Sequence, residues 1–207
     1  ASNFKTDSYW SATNNILYPG ESQYLNFNYG NVGHYNRSTK YWTRCVRNGS
    51  SAPSMVSGVG SEAIIDFSLA MPASAYTIAG KGTGIGNELS DANKTLFKKI
   101  RIAAAEGTQM TWSQAQTYCA SYSGGGWRLP TQRELQAIWI LKAEIASVVP
   151  TSTPFANYYY WTATASSLYP NDAWMVWMSS GPAGDAGNTP HIIQSNQVSV
   201  RCVREEP

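Results

Sequence analysis

The segment Tyr160-Trp161-Thr162-Ala163-Thr164 occurs twice in this chain, because it reappears near the N-terminus as Tyr9-Trp10-Ser11-Ala12-Thr13. The segment Arg201-Cys202-Val203-Arg204 is repeated in the same order as Arg44-Cys45-Val46-Arg47. In both copies a Leu-Tyr-Pro triplet begins seven residues after the tryptophan. We therefore interpret the chain as carrying an internal repeat. Six more residues separate the matched glycine and cysteine in the second copy than in the first, and such loop insertions often carry function.

The composition predicts a globular protein with a sizeable core, since 43% of the 207 residues are hydrophobic and 13% are aromatic. Charged residues make up 14% and the net charge is +2, so we expect no nucleic-acid partner. There is no run of 18 apolar residues and no signal-peptide pattern, so we expect no membrane insertion by this segment. Abundant Trp and Tyr beside Ser, Thr, Asn and Gly are typical of extracellular binding proteins.

The first third of the chain predicts short strands separated by loops. Apolar residues alternate along Tyr24–Tyr29, and a second strand candidate is Tyr41–Val46. Residues 48–60, which contain Asn48–Pro53 and then Gly58 and Gly60, have the composition of a linker. Ala63–Leu69 is a short apolar strand candidate. Gly80–Gly86 contains four glycines, and because it lacks the spacing of a phosphate-binding loop we interpret it as a flexible loop.

Two capped helices are predicted in the middle of the chain, after a strand at 95–105. Thr111 with Gln114 and Thr131 with Glu134 have the spacing of capping boxes. The second helix is predicted to run to about Val148. The apolar face of the first helix consists of Trp112, Ala115, Tyr118, Cys119 and Tyr122. The apolar stripe of the second consists of Leu135, Ile138, Leu141 and Ile145.

The C-terminal third returns to strands, predicted at Tyr158–Thr164, Ala173–Met178 and Gln197–Val203. Two helices followed by a half that consists of strands favour an α+β fold over alternating βαβ units. The three cysteines, Cys45, Cys119 and Cys202, are too few for a zinc cluster, and one disulfide with one leftover cysteine is the simplest arrangement.

Residues 95–205 resemble the bacterial C-type lectin-like modules of invasin- and intimin-like surface adhesins. The resemblance is carried by four motifs in order: Thr111–Cys119, Gly126-Trp127-Arg128-Leu129-Pro130-Thr131 with Glu134-Leu135, Tyr160–Thr164 and Arg201–Arg204. It implies two helices packed on antiparallel strands with a long loop region. It also implies a disulfide between Cys119 and Cys202 and an oxidising compartment.

The same resemblance implies a domain organisation. Residues 1–50 correspond to the strand half of a partial lectin-like repeat, 51–85 to a linker and lead-in strand, and 86–207 to a complete domain. The cysteine equivalent to Cys119 would lie before residue 1, so Cys45 is expected to be unpaired. Two alternatives stay open for residues 1–47. They could dock as extra strands on the complete module, or exchange with 158–205, in which case Cys45 would bond to Cys119.

Calcium-dependent sugar binding is the activity that the resemblance suggests first, and it needs neighbouring carboxylate and amide oxygens. The close candidates are Asn171 and Asp172, with Asp185 and Asn188 farther along. The sugar-selecting triplets of animal C-type lectins are absent. Asn171-Asp172 after Tyr-Pro is more simply a β-turn. We therefore predict no cofactor and keep calcium as the alternative.

No catalytic constellation is recognisable, so we predict that the protein is not an enzyme. Glu134 is explained by its capping position, and Arg128 by pairing with an acidic group or capping carbonyls. His34 and His191 lie in loop segments without a triad signature. Formylglycine-generating enzymes share the broader fold and use paired cysteines, but here that pair is assigned to the structural bridge.

Recognition through aromatic and polar loop residues is the remaining function, with core packing of all these rings as the alternative. The candidate ligand-binding residues are Tyr158, Tyr169, Asn171, Asp172, Trp174, Trp177, Asp185 and Asn188. We expect an extracellular or cell-surface module of an adhesin, anchored to the bacterial outer membrane through a part outside this chain. Its partner would be a host-cell or bacterial-surface protein or glycan, bound by loops between Thr164 and Val198. The alternatives are a carbohydrate-specific lectin and a structural tip or spacer domain without a ligand.

Overall fold

The structure is a computed structural model that describes residues 5, 7–14, 18–27, 31–46, 54–71, 76–77, 96–149, 155–156, 158–179 and 187–207. The strands are β1 (Ser8–Asn14), β2 (Glu21–Asn26), β3 (Asn31–Asn36), β4 (Val56–Val59), β5 (Glu62–Asp66), β6 (Tyr76–Thr77), β7 (Leu96–Phe97), β8 (Lys99–Ile102), β9 (Gly107–Met110), β10 (Trp127–Arg128), β11 (Tyr159–Ala165), β12 (Asp172–Trp177), β13 (His191–Ile193), β14 (Val198–Val200) and β15 (Val203–Glu205). The helices are α1 (Trp112–Ala120), α2 (Gln132–Ile140) and α3 (Lys142–Val148), with a 3-10 turn at Phe67–Leu69. The predicted α+β class is confirmed. The predicted loop at Gly80–Gly86 lies outside the described residues.

The first repeat forms a three-stranded antiparallel sheet in the order β1-β2-β3. Tyr9 and Gln23 are buried on one face, whereas Trp10 and Tyr24 are partly exposed on the other, as the alternation of side chains along a strand requires. The prediction of a strand at Tyr41–Val46 is wrong. In this stretch the structure has one isolated parallel bridge, between Tyr9 and Trp42, and the residues after Trp42 pair with no described strand.

A second sheet has the order β10-β15-β8-β5-β4, with every neighbouring pair antiparallel. Strand β8 shows the period of two that a half-buried strand requires, since Ile100 and Ile102 are buried and Lys99 and Arg101 are not. Strands β4 and β5 lie within the range 51–85, which was predicted as a linker and lead-in strand. Residues 56–66 therefore belong to the sheet of the main module. Strands β6 and β7 form a separate short parallel pair.

The third sheet has the order β13-β12-β11-β14-β9 and contains the second repeat. The first three of these strands are antiparallel neighbours, as are β1, β2 and β3, and in each copy the register breaks after the tryptophan. The parallel bridge between Tyr9 and Trp42 corresponds to the parallel pairing of Tyr160 with Ser199. The repeat deduced from the sequence is therefore also a repeat of strand topology.

Both predicted capping boxes are present. In the first, the Thr111 N–H donates to Oε1 of Gln114 at 3.0 Å. In the second, the Glu134 N–H donates to the Thr131 hydroxyl at 3.2 Å, while the Thr131 N–H donates to the Glu134 carboxylate at 2.8 Å. These bonds satisfy backbone donors that have no partner within the helix. The caps fix where α1 and α2 begin.

The predicted single helix from residue 131 to about Val148 is wrong in one respect, because it breaks at Leu141, where φ is −92° and ψ is 9°. Helix α2 packs on β11 and β12, whereas α3 packs on β4 of the other sheet. The two segments therefore contact strands of different sheets, although their apolar residues share one core cluster. The predicted apolar stripe nevertheless holds, and all four of its residues are buried: Leu135, Ile138, Leu141 and Ile145.

The described core consists of two apolar clusters. One lies between α2, α3 and the sheets, and the other surrounds the predicted disulfide between Cys119 and Cys202, which is present. Cys45 is exposed and forms no disulfide. This pairing contradicts the alternative in which the first repeat exchanges with the second and bonds to Cys119. The disulfide joins two cysteines that are 83 residues apart in the sequence, and it stabilises the fold by about 4 kcal/mol in the chain-entropy model.

Candidate functional site

The loop between β11 and β12 ends in a tight turn. The Asp172 N–H donates to the Tyr169 carbonyl oxygen at 2.9 Å, and the Gln194 N–H donates to the Asn171 carbonyl oxygen at 2.8 Å. This is the β-turn that the sequence offered as the simpler explanation of Asn171-Asp172. The turn places the Asp172 side chain at the start of β12, next to β13.

Strand β13 begins with His191, which lies opposite Trp174 in the sheet. Its Nδ1 is 2.7 Å from Oδ2 of Asp172. The Tyr169 ring stacks on the imidazole with centroids 4.7 Å apart, and the Trp174 ring contacts it edge-on at 5.1 Å. In a neutral imidazole, a carboxylate next to Nδ1 favours the tautomer with the proton on that nitrogen, which leaves Nε2 as a hydrogen-bond acceptor. The imidazole is thus held on three sides.

The first repeat builds the same unit. His34 lies on β3 with its Nδ1 against Oε2 of Glu21, and the Tyr18 ring stacks on it at 5.6 Å and 12°. In each copy the tyrosine comes from the Tyr-Pro turn and the acid lies three residues after it. Neither unit was predicted from the sequence, because both histidines were expected in loop segments, whereas they lie on β3 and β13. A usable signal was present, since each histidine precedes the cysteine of its copy by the same spacing.

Both histidines line one cleft of about 450 Å³ between the two copies of the repeat. The first copy contributes Tyr24 and residues 31–34, and the second contributes Leu168, Tyr169, Trp174 and residues 188–191. We call this the inter-repeat cleft. Its volume lies within the range of small-ligand sites, and most of its wall is aromatic or amide in character.

Two hydrogen bonds join the walls of the inter-repeat cleft. The Val32 N–H donates to the Thr189 hydroxyl at 2.8 Å, and the Thr189 N–H donates to the Val32 carbonyl oxygen at 3.4 Å. Tyr24 lies across Gly33, where an added Cβ would come within 2.8 Å of the tyrosine hydroxyl oxygen. The absence of a side chain at Gly33 therefore lets the Tyr24 ring reach over the edge strand toward the cleft.

Among the residues that the structure describes, no Lys, Arg, Asp or Glu side chain lines the cleft. The nearby carboxylates of Glu21 and Asp172 are paired with the two histidines. Burial raises the pKa of Tyr24, with a smaller contribution from Tyr35, so the Tyr24 hydroxyl keeps its proton well above neutral pH. The cleft therefore presents hydroxyl, amide and imidazole groups on aromatic walls and no fixed charge.

Three of the eight predicted ligand residues line the inter-repeat cleft: Tyr169, Trp174 and Asn188. Tyr169 is 54% exposed, whereas Trp174 is only 3% exposed and presents a small part of its ring. Asp172 acts through His191 rather than from the wall.

The other predicted ligand residues lie elsewhere. Tyr158 is exposed outside the cleft lining, Trp177 packs its ring on Tyr159 at 4.5 Å, and Asn171 is an exposed turn residue. Asp185 lies outside the described residues. Within the described part of the chain, no three His, Cys, Asp or Glu side chains group together as metal ligands would.

Glu134 and Arg128 have the structural roles that the sequence indicated. The guanidinium of Arg128 donates to both carboxylate oxygens of Glu134, at 2.8 and 3.0 Å, and the Phe97 N–H donates to the same carboxylate at 3.2 Å. Burial acts to lower the pKa of Arg128, but the carboxylates of Glu134 and Glu205 together outweigh it and the net shift is upward. This pair secures the start of α2 and lies apart from the inter-repeat cleft.

A family model described as the Lcl C-terminal domain matches residues 89–204, which is more than half of the chain. The match includes α1 to α3 and the second repeat, and it begins after the first repeat. No curated protein matches the chain. Across the described ranges, none of the helices has the length and apolar character needed to cross a bilayer. The chain thus belongs to the Lcl C-terminal domain family, a group of bacterial surface-protein domains.

Proposed function

We propose that this protein is an extracellular recognition module of a bacterial surface adhesin, which binds a protein or glycan of a host or neighbouring cell. The observation that carries the proposal is the inter-repeat cleft, where loops of the strand half bring Tyr169, Asn188 and His191 to one surface. Membership of a family of bacterial surface domains supports it. In this proposal, a part of the protein outside this chain anchors the module to the outer membrane.

A C-type lectin-like topology is part of the same proposal. Its support is the order of the elements, with two capped helices before the strand half and a disulfide from α1 to the segment between β14 and β15. The family match is to the Lcl C-terminal domain and not to the invasin- and intimin-like modules named above. The proposal therefore concerns the shared topology and does not depend on those adhesins.

The proposed recognition involves no catalytic step and no cofactor. Asn171 and Asp172, the first calcium candidates, lie in a turn in which Asp172 is paired with His191. A calcium ion bound there would compete with this pair. Titration calorimetry with millimolar calcium, together with thermal unfolding, tests the point: heat of binding and a raised Tm would support the calcium alternative.

The test of function is a cell-binding assay and a glycan array run on the same protein preparations. The informative variant is Tyr169→Ala, because Tyr169 is exposed and lines the cleft. Trp174→Ala is less useful, since loss of a buried ring would disturb the sheet. The matched control is Tyr158→Ala, which removes a ring of nearly equal exposure, 55% against 54%, outside the cleft.

We expect wild-type protein and the Tyr158→Ala variant to bind cells, and the Tyr169→Ala variant to bind them more weakly. Cell binding without any glycan signal would indicate a protein receptor. A glycan signal would indicate a lectin. Neither signal, with a folded protein, would contradict the proposed recognition role and favour a structural spacer.

A further inference from the structure

We propose that the inter-repeat cleft is a binding site for an uncharged saccharide of one or two sugar units. The inference rests on the proposed recognition function and adds its site and ligand class. It assigns a role to the first repeat, which lies outside the residues matched by the family model. The site is complete only where both copies of the repeat are present.

The cleft is formed before any ligand arrives. Its walls are tied by the two bonds between Val32 and Thr189, and each histidine is fixed by a carboxylate and a stacked tyrosine. A site whose side chains are already ordered loses little conformational entropy on binding. This matters for a small polar ligand, because its few contacts leave little free energy to offset ordering.

Aromatic surface in the cleft suits the apolar face of a sugar ring. Tyr169 is half exposed and its ring is held parallel to the His191 ring, within 21°. Tyr24 extends from the opposite wall across Gly33. Amphipathic rings of this kind offer an apolar face for the C–H groups of a sugar, and a hydroxyl for its polar edge.

Hydrogen-bonding groups in the cleft suit the hydroxyls of a sugar. The side-chain oxygen of Asn31 is shielded and has no hydrogen-bond partner among the described residues. Shielded polar atoms are nearly always paired in folded proteins, so the partner has to come from elsewhere, and a ligand hydroxyl in the cleft can supply it. Asn188 and the imidazole of His191 add hydrogen-bonding groups on the other wall.

The charge of the lining argues against an acidic ligand. Sulfated, sialylated and phosphorylated ligands are held mainly by Arg and Lys, and neither is found among the described residues of the lining. The two carboxylates behind the histidines would repel an anion further. A neutral ligand, rich in hydroxyls and with one apolar face, meets the lining without an unpaired charge.

The test uses saturation-transfer NMR and titration calorimetry with three neutral disaccharides: lactose, cellobiose and N,N′-diacetylchitobiose. At least one should bind, with a Kd on the order of 1 mM, as expected for a small ligand with few contacts. Tyr169→Ala should weaken that binding about tenfold through loss of the stacking face. Asn188→Ala should weaken it roughly fivefold through loss of hydrogen bonds.

The control variant Tyr158→Ala should bind the same disaccharide as wild type does, and thermal unfolding should show all three variants folded. Equal weakening in Tyr158→Ala would overturn the assigned site. Preference for sulfated or sialylated disaccharides over neutral ones would overturn the ligand class. Absence of neutral-sugar binding, in a protein that still binds cells, would overturn the inference and leave the proposed recognition function intact.

Discussion

The two copies of the repeat begin with the same Tyr-Trp strand and end in different environments. In the second copy, Trp161 is fully buried and Cys202 is bonded to α1. In the first copy, Trp10 is partly exposed and Cys45 is exposed. No described helix covers the first sheet. The same strand pattern therefore forms part of a buried core in the second copy and a partly exposed surface in the first.

The residues around the tryptophan differ in the way this exposure requires. Where the second copy has Met175, Ile192 and Val198 packed beneath α1 and the disulfide, the first has tyrosines. The matching tyrosines form a ring cluster with Trp10: Tyr24, Tyr35 and Tyr41. Tyrosine can bury the body of its ring against a neighbour while its hydroxyl meets water. The first copy has exchanged an apolar face for an amphipathic one.

The arginine of the repeated Arg-Cys-Val-Arg segment shows the same contrast. Arg201 is 1% exposed, donates to the carbonyl oxygens of Ala103 and Ala104 at 3.0 and 2.9 Å, and lies over the Phe155 ring. Burial lowers the pKa of Arg201. Arg44 in the first copy is exposed. The arginine of this segment is therefore an interior anchor only in the second copy, where the residues between β8 and β9 supply carbonyl groups for it.

Replacing each of the two tryptophans by alanine should give the largest difference in stability between the two copies. Trp161→Ala should cost about 5 kcal/mol, because it empties a fully buried site and removes the indole bond to the Met110 carbonyl oxygen. Trp10→Ala should cost about 2 kcal/mol, since part of its ring already contacts water. Urea denaturation followed by circular dichroism measures both. Equal costs would contradict the distinction between a covered and an open sheet.

Removing the disulfide should give the second largest effect. Replacing Cys119 and Cys202 by serine should lower the free energy of unfolding by about 4 kcal/mol, because the bond closes a long loop in the unfolded chain. Cys45→Ser should change it by less than about 0.5 kcal/mol, as expected for an exposed site. Denaturation with and without reductant measures the difference. A large effect of Cys45→Ser would show that the first copy uses its cysteine structurally.

Alkaline pH should weaken the fold through Tyr160. Burial raises its pKa well above the usual 10, with a further rise from the Glu106 carboxylate. Below pH 10 the Tyr160 hydroxyl is protonated in both the folded and the unfolded state, so its contribution to the free energy of unfolding is fully present. Above pH 10 the unfolded chain loses the proton first, so stability falls by up to about 1.4 kcal/mol per pH unit.

Denaturation midpoints measured between pH 8 and 11.5 test whether stability falls as the pH rises above 10. The slope above pH 10 should be shallower in Tyr160→Phe, which cannot ionise at this position. An unchanged slope in that variant would assign the alkaline loss to other groups, such as the half-buried Tyr118, whose pKa is also raised by desolvation.

The smallest effect concerns the first copy alone. Gly33→Ala should cost about 1 kcal/mol, because its Cβ would press on the Tyr24 ring at 2.8 Å, although a side chain can move aside. Gly20→Ala is the control, since its Cβ would meet nothing within 4 Å. Thermal unfolding of both variants measures the difference. If Gly20→Ala costs as much, the close approach of Tyr24 is not the cause.

The parts of the fold that could be predicted from the sequence are those fixed by short-range rules. The capping boxes at Thr111 and Thr131 locate two helix starts, and the helical spacing of the apolar residues identifies their buried faces. The break at Leu141 was not predictable in this way, because it arises from the two sheets against which α2 and α3 pack. Strand β4 was likewise not predictable, because it lies within residues 48–60, which have the composition of a linker, whereas the apolar run Ala63–Leu69 did predict a strand where β5 forms.

The candidate site was only partly predictable. Tyr169, Trp174 and Asn188 were among the candidates because their residue types and loop position suit recognition. The opposite wall was missed, since it comes from a repeat more than 130 residues earlier in the sequence. The pattern of apolar residues within either segment does not predict that β3 lies next to the loop before β13.

The sequence by itself determined that the chain contains a repeat, where its helices begin and which residues could form a disulfide, because matched motifs and capping spacings act over a few residues. The tertiary structure alone decided which copy is covered, and that the two Tyr-acid-His units share one cleft. Both depend on contacts between segments far apart in the chain, such as the pairing of Val32 with Thr189. Such contacts are set by the packing of whole sheets and leave no pattern in either segment alone.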